Sequence, residues 1–342
     1  MAVQAPILSR DYGRAVTAAG IVEYRSYTVE ARNGVLYRTF NRRRFNQGGV
    51  GFALLLLILD LHAADQTQQM TARLSEEADA FRRIAPSLLG HETLEQKAHK
   101  PQPRFRPRIG NDAKTPPVPK WQDRQVVSEY GFASFAGETE TLHELRRVVS
   151  VDGKSVADAK KAEDSLARII ALKDDQREKE LLKEFANYGL VGAAMDFGPL
   201  LMLFTPREIE HYEFAFKGPD FLGATKALVF RYTQIDGPEL LTVFETSGGK
   251  PHRLKVQGDV WVRADNFLPL RITLGVGEGQ GAKAVHEEAS VDYAPTAFGT
   301  LAPSSVDHKE LRGGQLVMQN SFIYSDFHKF GADAQIQFGN GK

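Results

Sequence analysis

The feature that most constrains this chain is a succession of short segments with apolar residues at every second position, parted by turn dipeptides, filling its C-terminal half. Leu228, Phe230 and Tyr232 alternate with Val229, Arg231 and Thr233, and Val260 and Val262 alternate with Trp261 and Arg263. A period of two sends alternate side chains to opposite faces of a strand, so one face is buried and the other meets water. Candidate strands run over 212–216, 227–234, 240–245, 254–263, 269–276, 284–293, 300–308 and 316–327. Asp236-Gly237, Ser247-Gly248-Gly249, Ala264-Asp265-Asn266 and Arg312-Gly313-Gly314 supply hairpin chemistry between several of them. Strands following one another this closely predict an antiparallel meander.

Two more strands are expected upstream, one through Val126, Ser128, Tyr130 and Phe132 and one through Leu142, Glu144, Arg146 and Val148, the second closed by Asp152-Gly153. A capping pattern, Ser155 with Asp158, precedes Leu166, Ile169, Ile170 and Leu172, and Asp175 opens a second helical pattern carrying Leu181, Leu182, Phe185 and Tyr188. These define a helical insertion at 156–190. Met70, Leu74, Ala78, Phe81, Ile84, Leu88 and Leu89 recur at steps of three and four, which predicts one amphipathic helix over 66–98, bent at Pro86 and Gly90, within an N-terminal helical region of 65–100. Residues 101–124 form a linker, with prolines at 101, 103, 107, 116, 117 and 119, and 331–342 read as a flexible tail. The expected fold is α+β: a curved antiparallel sheet over 125–330, covered by helices.

Ahead of this domain, Val50–Leu59 is an uninterrupted apolar run ended by Asp60, too short to span a bilayer as a helix. Its length, the preceding Arg42-Arg43-Arg44 and the small residues Ala63 and Ala64 fit a signal peptide over 41–64, cut after Ala63 or Ala64. Arg42-Arg43-Arg44-Phe45 also fits a twin-arginine pattern, so both export routes stay open. A buried helix of a cytoplasmic protein is the bland alternative. Residues 1–40 read as an extension that is untranslated or disordered, with translation beginning near Val35 or Leu36. The expectation is a periplasmic or secreted protein with no stable transmembrane span in its mature form.

Composition narrows function mainly by exclusion. The net charge is zero, with eight Arg against three acidic residues in 1–49 and 35 basic against 40 acidic residues after it, so nothing points to nucleic acid. These 342 residues hold no cysteine, which removes disulfides, thiolate metal sites, a cysteine nucleophile and a lipid-modified cysteine. His143-Glu144, His286-Glu287-Glu288 and His308-Lys309-Glu310 lie on strand-like segments, without the i, i+4 spacing of a helical zinc site, and are expected at solvated positions. Asp196-Phe197-Gly198 spells a kinase magnesium motif without its companions, and the glycines at 275, 277, 279 and 281 precede no helix. No catalytic residues, metal ligands or cofactor are nominated, and the expectation is a protein that is not an enzyme.

What stands out is aromatic content in the sheet. An ordinary core explains it, and an apolar cavity between sheet and helices is the sharper alternative. The hairpin Gly258–Thr273, with its turn Ala264-Asp265-Asn266 and Pro269-Leu270-Arg271, resembles that of the outer-membrane lipoprotein carrier superfamily, the LolA, LolB and RseB type. Together with Val127–Tyr130, Val151–Gly153, Asp196–Gly198 and Val291–Tyr293, it also resembles a set of uncharacterised exported bacterial proteins. The resemblance implies a half-open barrel whose concavity takes a lipid or an acylated protein segment; no residue carries over from a family motif, and the candidates for an apolar cavity, chosen by apolar and aromatic character, are Phe204, Tyr212, Phe214, Phe230, Phe244, Trp261, Leu270 and Tyr293. A structural or sensory module that binds another envelope protein is the alternative.

Overall fold

The computed structural model of the protein describes residues 14–17, 20–23, 48–100, 119–134, 142–172, 176–177, 180–181, 185–190, 197–237, 241–243, 252–278, 280–281 and 284–330. The linker prolines up to Pro117, the tail, most of the second inserted helix and Phe244 lie outside the described residues. Residues 1–56 and 57–342 make two compact units. In the first, β1 (Arg14–Thr17) pairs with β2 (Gly20–Glu23). Helix α1 runs Gly48–Ile84. Among the described residues, no helix is long and apolar enough to cross a membrane.

The second unit is built on eleven strands. In chain order they are β3 (Leu88–His99), β4 (Trp121–Ala133), β5 (His143–Val151), β6 (Lys154–Ser155), β7 (Tyr212–Leu222) and β8 (Thr225–Gln234); a separate two-stranded ribbon, β9 (Leu241–Val243) with β10 (His252–Leu254), follows. Then come β11 (Gln257–Arg263), β12 (Pro269–Glu278), β13 (Val285–Pro295), β14 (Leu301–Arg312) and β15 (Gln315–Lys329). The order across the sheet is β6-β5-β4-β3-β15-β14-β13-β12-β11-β8-β7, antiparallel at every step and unclosed at β6 and β7. Register shifts interrupt several pairs, at Phe216/Gly218, Trp261/Val262 and Asp292/Tyr293 among others. Such bulges sharpen the local twist and bend a sheet.

The expected helix over 66–98 is corrected here. It ends at Ile84, a single 3₁₀ turn spans Ala85–Ser87, and Leu88–His99 is a strand at the middle of the sheet, between β4 and β15. Pro86 sits in that turn, where it has no N–H to continue a helix. The Glu, Gln and Lys content of the segment favours a helix, but both edges of β3 are fully paired, and pairing outweighs propensity.

Each face of the sheet has its own cover. On the inner face Met70, Leu74, Ala78 and Phe81 of α1, spaced at i, i+4, i+8 and i+11, pack with Leu94, Val126, Tyr130 and Phe132 in the main core. Phe81 meets Phe132 edge-on at 5.2 Å. Side chains one residue out of phase, Leu89, Ala133 and Leu145, face the other way and pack under helix α2 (Ala159–Leu172) through Leu166, Ile169 and Ile170. The inserted helix therefore lies on the outer face, and the N-terminal helix covers the inner one. His328 and Glu163, 3.2 Å apart, tie α2 to β15 on that outer side.

Candidate functional site

A second element shares the inner face with α1. Residues Gly198–Phe204, Gly-Pro-Leu-Leu-Met-Leu-Phe, form a 3₁₀ segment kinked at Pro199. Proline at 199 pre-sets the entry turn, and the apolar run after it has nowhere to go except inward. Leu200, Leu201, Leu203 and Phe204 are all buried in the main core. Two backbone bonds steady its ends, Leu200 N–H to Phe197 O and Thr205 N–H to Met202 O.

The segment is held by three polar contacts to the sheet. Gly198 N–H donates to Glu144 Oε1 at 3.0 Å, Tyr293 Oη donates to Gly198 O at 2.8 Å, and Leu201 N–H donates to Tyr293 Oη at 2.9 Å. Glu144 is on β5 and Tyr293 on β13, five steps apart in the sheet. In a flat sheet those strands would be about 24 Å apart with side chains roughly parallel. One residue touches both, so the sheet curls around the segment. The approach is close enough to require glycine: a Cβ at Gly198 would fall 2.3 Å from Glu144 Oε1, 2.8 Å from Tyr130 Oη and 3.3 Å from Pro303 Cγ.

Beneath Gly198 lies a buried ionic network. Arg146, 3% exposed, donates through Nε to both oxygens of Glu92 at 2.8 and 2.9 Å and through Nη2 to Glu144 Oε2 at 2.8 Å. Tyr130 Oη donates to Glu144 Oε1 at 2.6 Å, and the guanidinium lies 5.4 Å from the Tyr130 ring. Burial lifts the Glu92 carboxyl above its ordinary range although Arg146 pulls the other way. It also lifts the Tyr130 and Tyr324 hydroxyls, with Glu144 adding to both shifts. The network is thus an anchor at the segment's N-terminal end, with Glu144 fixed so that one of its oxygens faces the Gly198 amide.

His308 stands at the same end. Only 2% exposed, its ring lies 4.3 Å from that of Phe197, and its Nδ1 is 3.2 Å from Asn320 Nδ2, whose carboxamide oxygen accepts from Gln96 Nε2 at 2.7 Å. The expectation that the His-Glu pairs are solvated holds for His286 and Glu288 and fails for Glu144, His308 and Glu310, which are buried. Their strands carry polar residues at inward positions, because α1 and Gly198–Phe204 exclude water from a face that side-chain polarity alone would leave wet. No group of three His, Asp or Glu side chains among the described residues is placed to hold a metal.

The candidate lining separates into groups. Phe204, Tyr212, Phe214 and Phe230 come together, with Phe204 5.3 Å from Tyr212, 5.7 Å from Phe214 and 5.0 Å from Tyr232. Tyr293 joins them through the bonds to Gly198 and Leu201. Trp261 is on the opposite face, its indole N–H donating to Asp220 at 3.0 Å, and Leu270 is half-buried and outside the core cluster. The interior at the aromatic cluster is filled by the chain's own side chains: Phe204, Phe230 and Tyr232 are fully buried. Two clefts lie elsewhere, one of about 340 Å³ lined largely by polar residues such as Arg231, Asp259, Glu288 and Lys309, and one of about 250 Å³ at the strand ends, lined by Phe298, Pro303, Tyr324 and Phe327.

Sequence reasoning missed Gly198, Glu144, Arg146 and Glu92 as a unit. The visible signal was the apolar run after Asp196-Phe197-Gly198, the most apolar stretch of the domain, opening on a Gly-Pro pair.

No protein-family model matches the chain, and no curated protein matches it. Among solved structures, it is similar to a putative outer membrane lipoprotein-sorting protein domain from Vibrio parahaemolyticus, at 12% identity and a TM-score of 0.31 over 76% of this chain and 92% of that one. It is also similar to a DUF1329 family protein from Desulfovibrio piger (8% identity, TM-score 0.32, 76% and 92%) and to a LolA superfamily protein from Nitrosomonas europaea (13%, 0.28, 75% and 92%). These likenesses are remote.

Proposed function

We propose that this chain is an exported, non-enzymatic binding protein that takes a hydrophobic guest on the inner face of its sheet, where Gly198–Phe204 now sits. One observation supports the reading above others. The inner face is completed by a short, kinked apolar segment held by three hydrogen bonds, and not by a regular element paired into the sheet. A segment of this kind is displaceable at a cost a guest of similar apolar area offsets, since the same surface is buried before and after. Its departure would leave space of the order of roughly 300–1,000 Å³, the size of a ligand pocket. Tyr212, Phe214, Phe230 and Tyr293 would line that space; Phe204 would leave with the segment, and Trp261 and Leu270 lie elsewhere.

A second reading, an envelope module that binds another protein through its outer surface, is favoured by the packed interior. Native mass spectrometry after mild extraction from cells separates the two. A bound hydrophobic molecule, together with a thermal shift on adding it back, supports the guest. A clean apoprotein with no shift across lipids, fatty acids and apolar peptides leaves the interaction module.

A further inference from the structure

The contacts around Gly198 are suited to a polypeptide backbone more than to hydrocarbon. Glu144 Oε1 offers an acceptor to the Gly198 N–H, and Tyr293 Oη offers a donor to the Gly198 carbonyl and an acceptor to the Leu201 N–H. The pattern acceptor, donor, acceptor is matched to N–H, C=O and N–H in that order along a chain. Both partners are buried, Glu144 at 2% and Tyr293 at 5% exposure, so a guest without amides would leave the Tyr293 hydroxyl unpaired away from water and take one donor from Glu144 Oε1, which Tyr130 also serves. The spacing is equally selective, because a Cβ at the residue facing Glu144 would be 2.3 Å from its oxygen. Beyond that point the inner face is lined by Phe214, Phe230 and Tyr232, which suits large apolar side chains.

We infer, resting on the reading of the inner face as a guest site, that the guest is an apolar peptide segment with glycine at the position facing Glu144, and not a fatty acyl chain. The protein's own Gly-Pro-Leu-Leu-Met-Leu-Phe is then an internal occupant of a peptide site. Glu144 and Tyr293 determine specificity, and the aromatic cluster supplies apolar contact.

The test uses the full chain carrying Leu201→Asp and Phe204→Asp, which unseat the internal segment and leave the sheet unaltered. The probe is a fluorescent acetyl-Gly-Pro-Leu-Leu-Met-Leu-Phe peptide, read by polarisation, with palmitate as competitor. Saturable binding is expected. It should weaken about tenfold when Tyr293→Phe is added, which removes two hydrogen bonds, and by a similar factor when the peptide's glycine is replaced by alanine. Palmitate should compete weakly and be indifferent to Tyr293→Phe. The inference is overturned if a scrambled peptide of the same composition binds equally well, or if Tyr293→Phe changes nothing. If palmitate binds and the peptide does not, the peptide inference falls and the hydrophobic guest stands; if neither binds, both fall. Should the doubly substituted chain not fold, the unaltered chain serves: excess peptide must speed hydrogen exchange at the Leu201 amide, and no change at saturating peptide overturns the inference.

Discussion

Alanine at Gly198 would put a methyl carbon 2.3 Å from Glu144 Oε1 and 2.8 Å from Tyr130 Oη, so the segment or the carboxylate must move. Glu144 has little room to do so, because Arg146 and Tyr130 hold its two oxygens at 2.8 and 2.6 Å. The segment therefore lifts, and the bond from the Gly198 amide to a charged acceptor is lost, at about 1.5–3 kcal/mol. The φ of Gly198 is not in the left-handed region, so alanine also stabilises by restricting the unfolded chain, about 0.4–1 kcal/mol. The balance is a local destabilisation of about 1–2 kcal/mol. Hydrogen exchange resolved by residue reads it directly: the Leu200 and Leu201 amides should exchange about 5 to 30 times faster. Amides of α2, which packs on the other face of the sheet, should keep their rates. Unchanged exchange at 200 and 201, or a rise of equal size everywhere, would refute the argument that Gly198 is a local latch.

Two further outcomes follow from the ionic network. Arg146→Met strands the Glu92 and Glu144 carboxylates and should cost about 3–5 kcal/mol in urea unfolding, since breaking a buried pair leaves an uncompensated charge; a loss under 1 kcal/mol would mean the network is not buried as described. Glu92→Gln should change the pH profile. Burial raises the Glu92 carboxyl from its ordinary 4.5, so the folded chain holds this proton more tightly than the unfolded one, and its contribution is complete below 4.5 and is lost as pH rises through the folded value. The difference in urea midpoint between the two proteins should therefore drift in favour of Glu92→Gln as pH rises from about 4. Asp79, Asp152 and Asp259, whose carboxyls are held low, contribute the opposite slope to both proteins and cancel in that difference.

The sheet was legible because its strands obey period two and its turns carry glycine and aspartate where the chain reverses. Gly313 and Gly314 have the positive φ that the turn between β14 and β15 asks for, whereas Gly237, also at positive φ, leads to the separate β9–β10 ribbon and not to the expected hairpin partner of β8. β3 was not legible because Glu92 and Gln96 point inward, which erases the alternation that marks a strand, and because its neighbours in the sheet, β4 and β15, are distant in the chain. Glu144 and His308 were misjudged for a related reason. A polar residue on a strand reads as solvated unless its cover is known, and the cover here comes from helix α1 and from residues 198–204. The aromatic cluster at Phe204, Tyr212 and Phe230 was visible as composition, whereas Trp261, named as lining for its aromatic character, stands on the far face, as its alternation with Val260 and Val262 requires.

That the inner face is a guest site in which Gly198–Phe204 is a removable occupant is tested most directly by a distance between two spin labels. The sequence contains no cysteine, so Met202→Cys and Ser305→Cys give a uniquely labelled pair, one on the segment and one on β14. Pulsed electron resonance should show a single short distance in the free protein and a second, longer one whose share grows with added apolar peptide or hydrophobic extract and saturates with binding. A distribution that stays single and unmoved while a guest is demonstrably bound would contradict the account, because the guest would then be somewhere else.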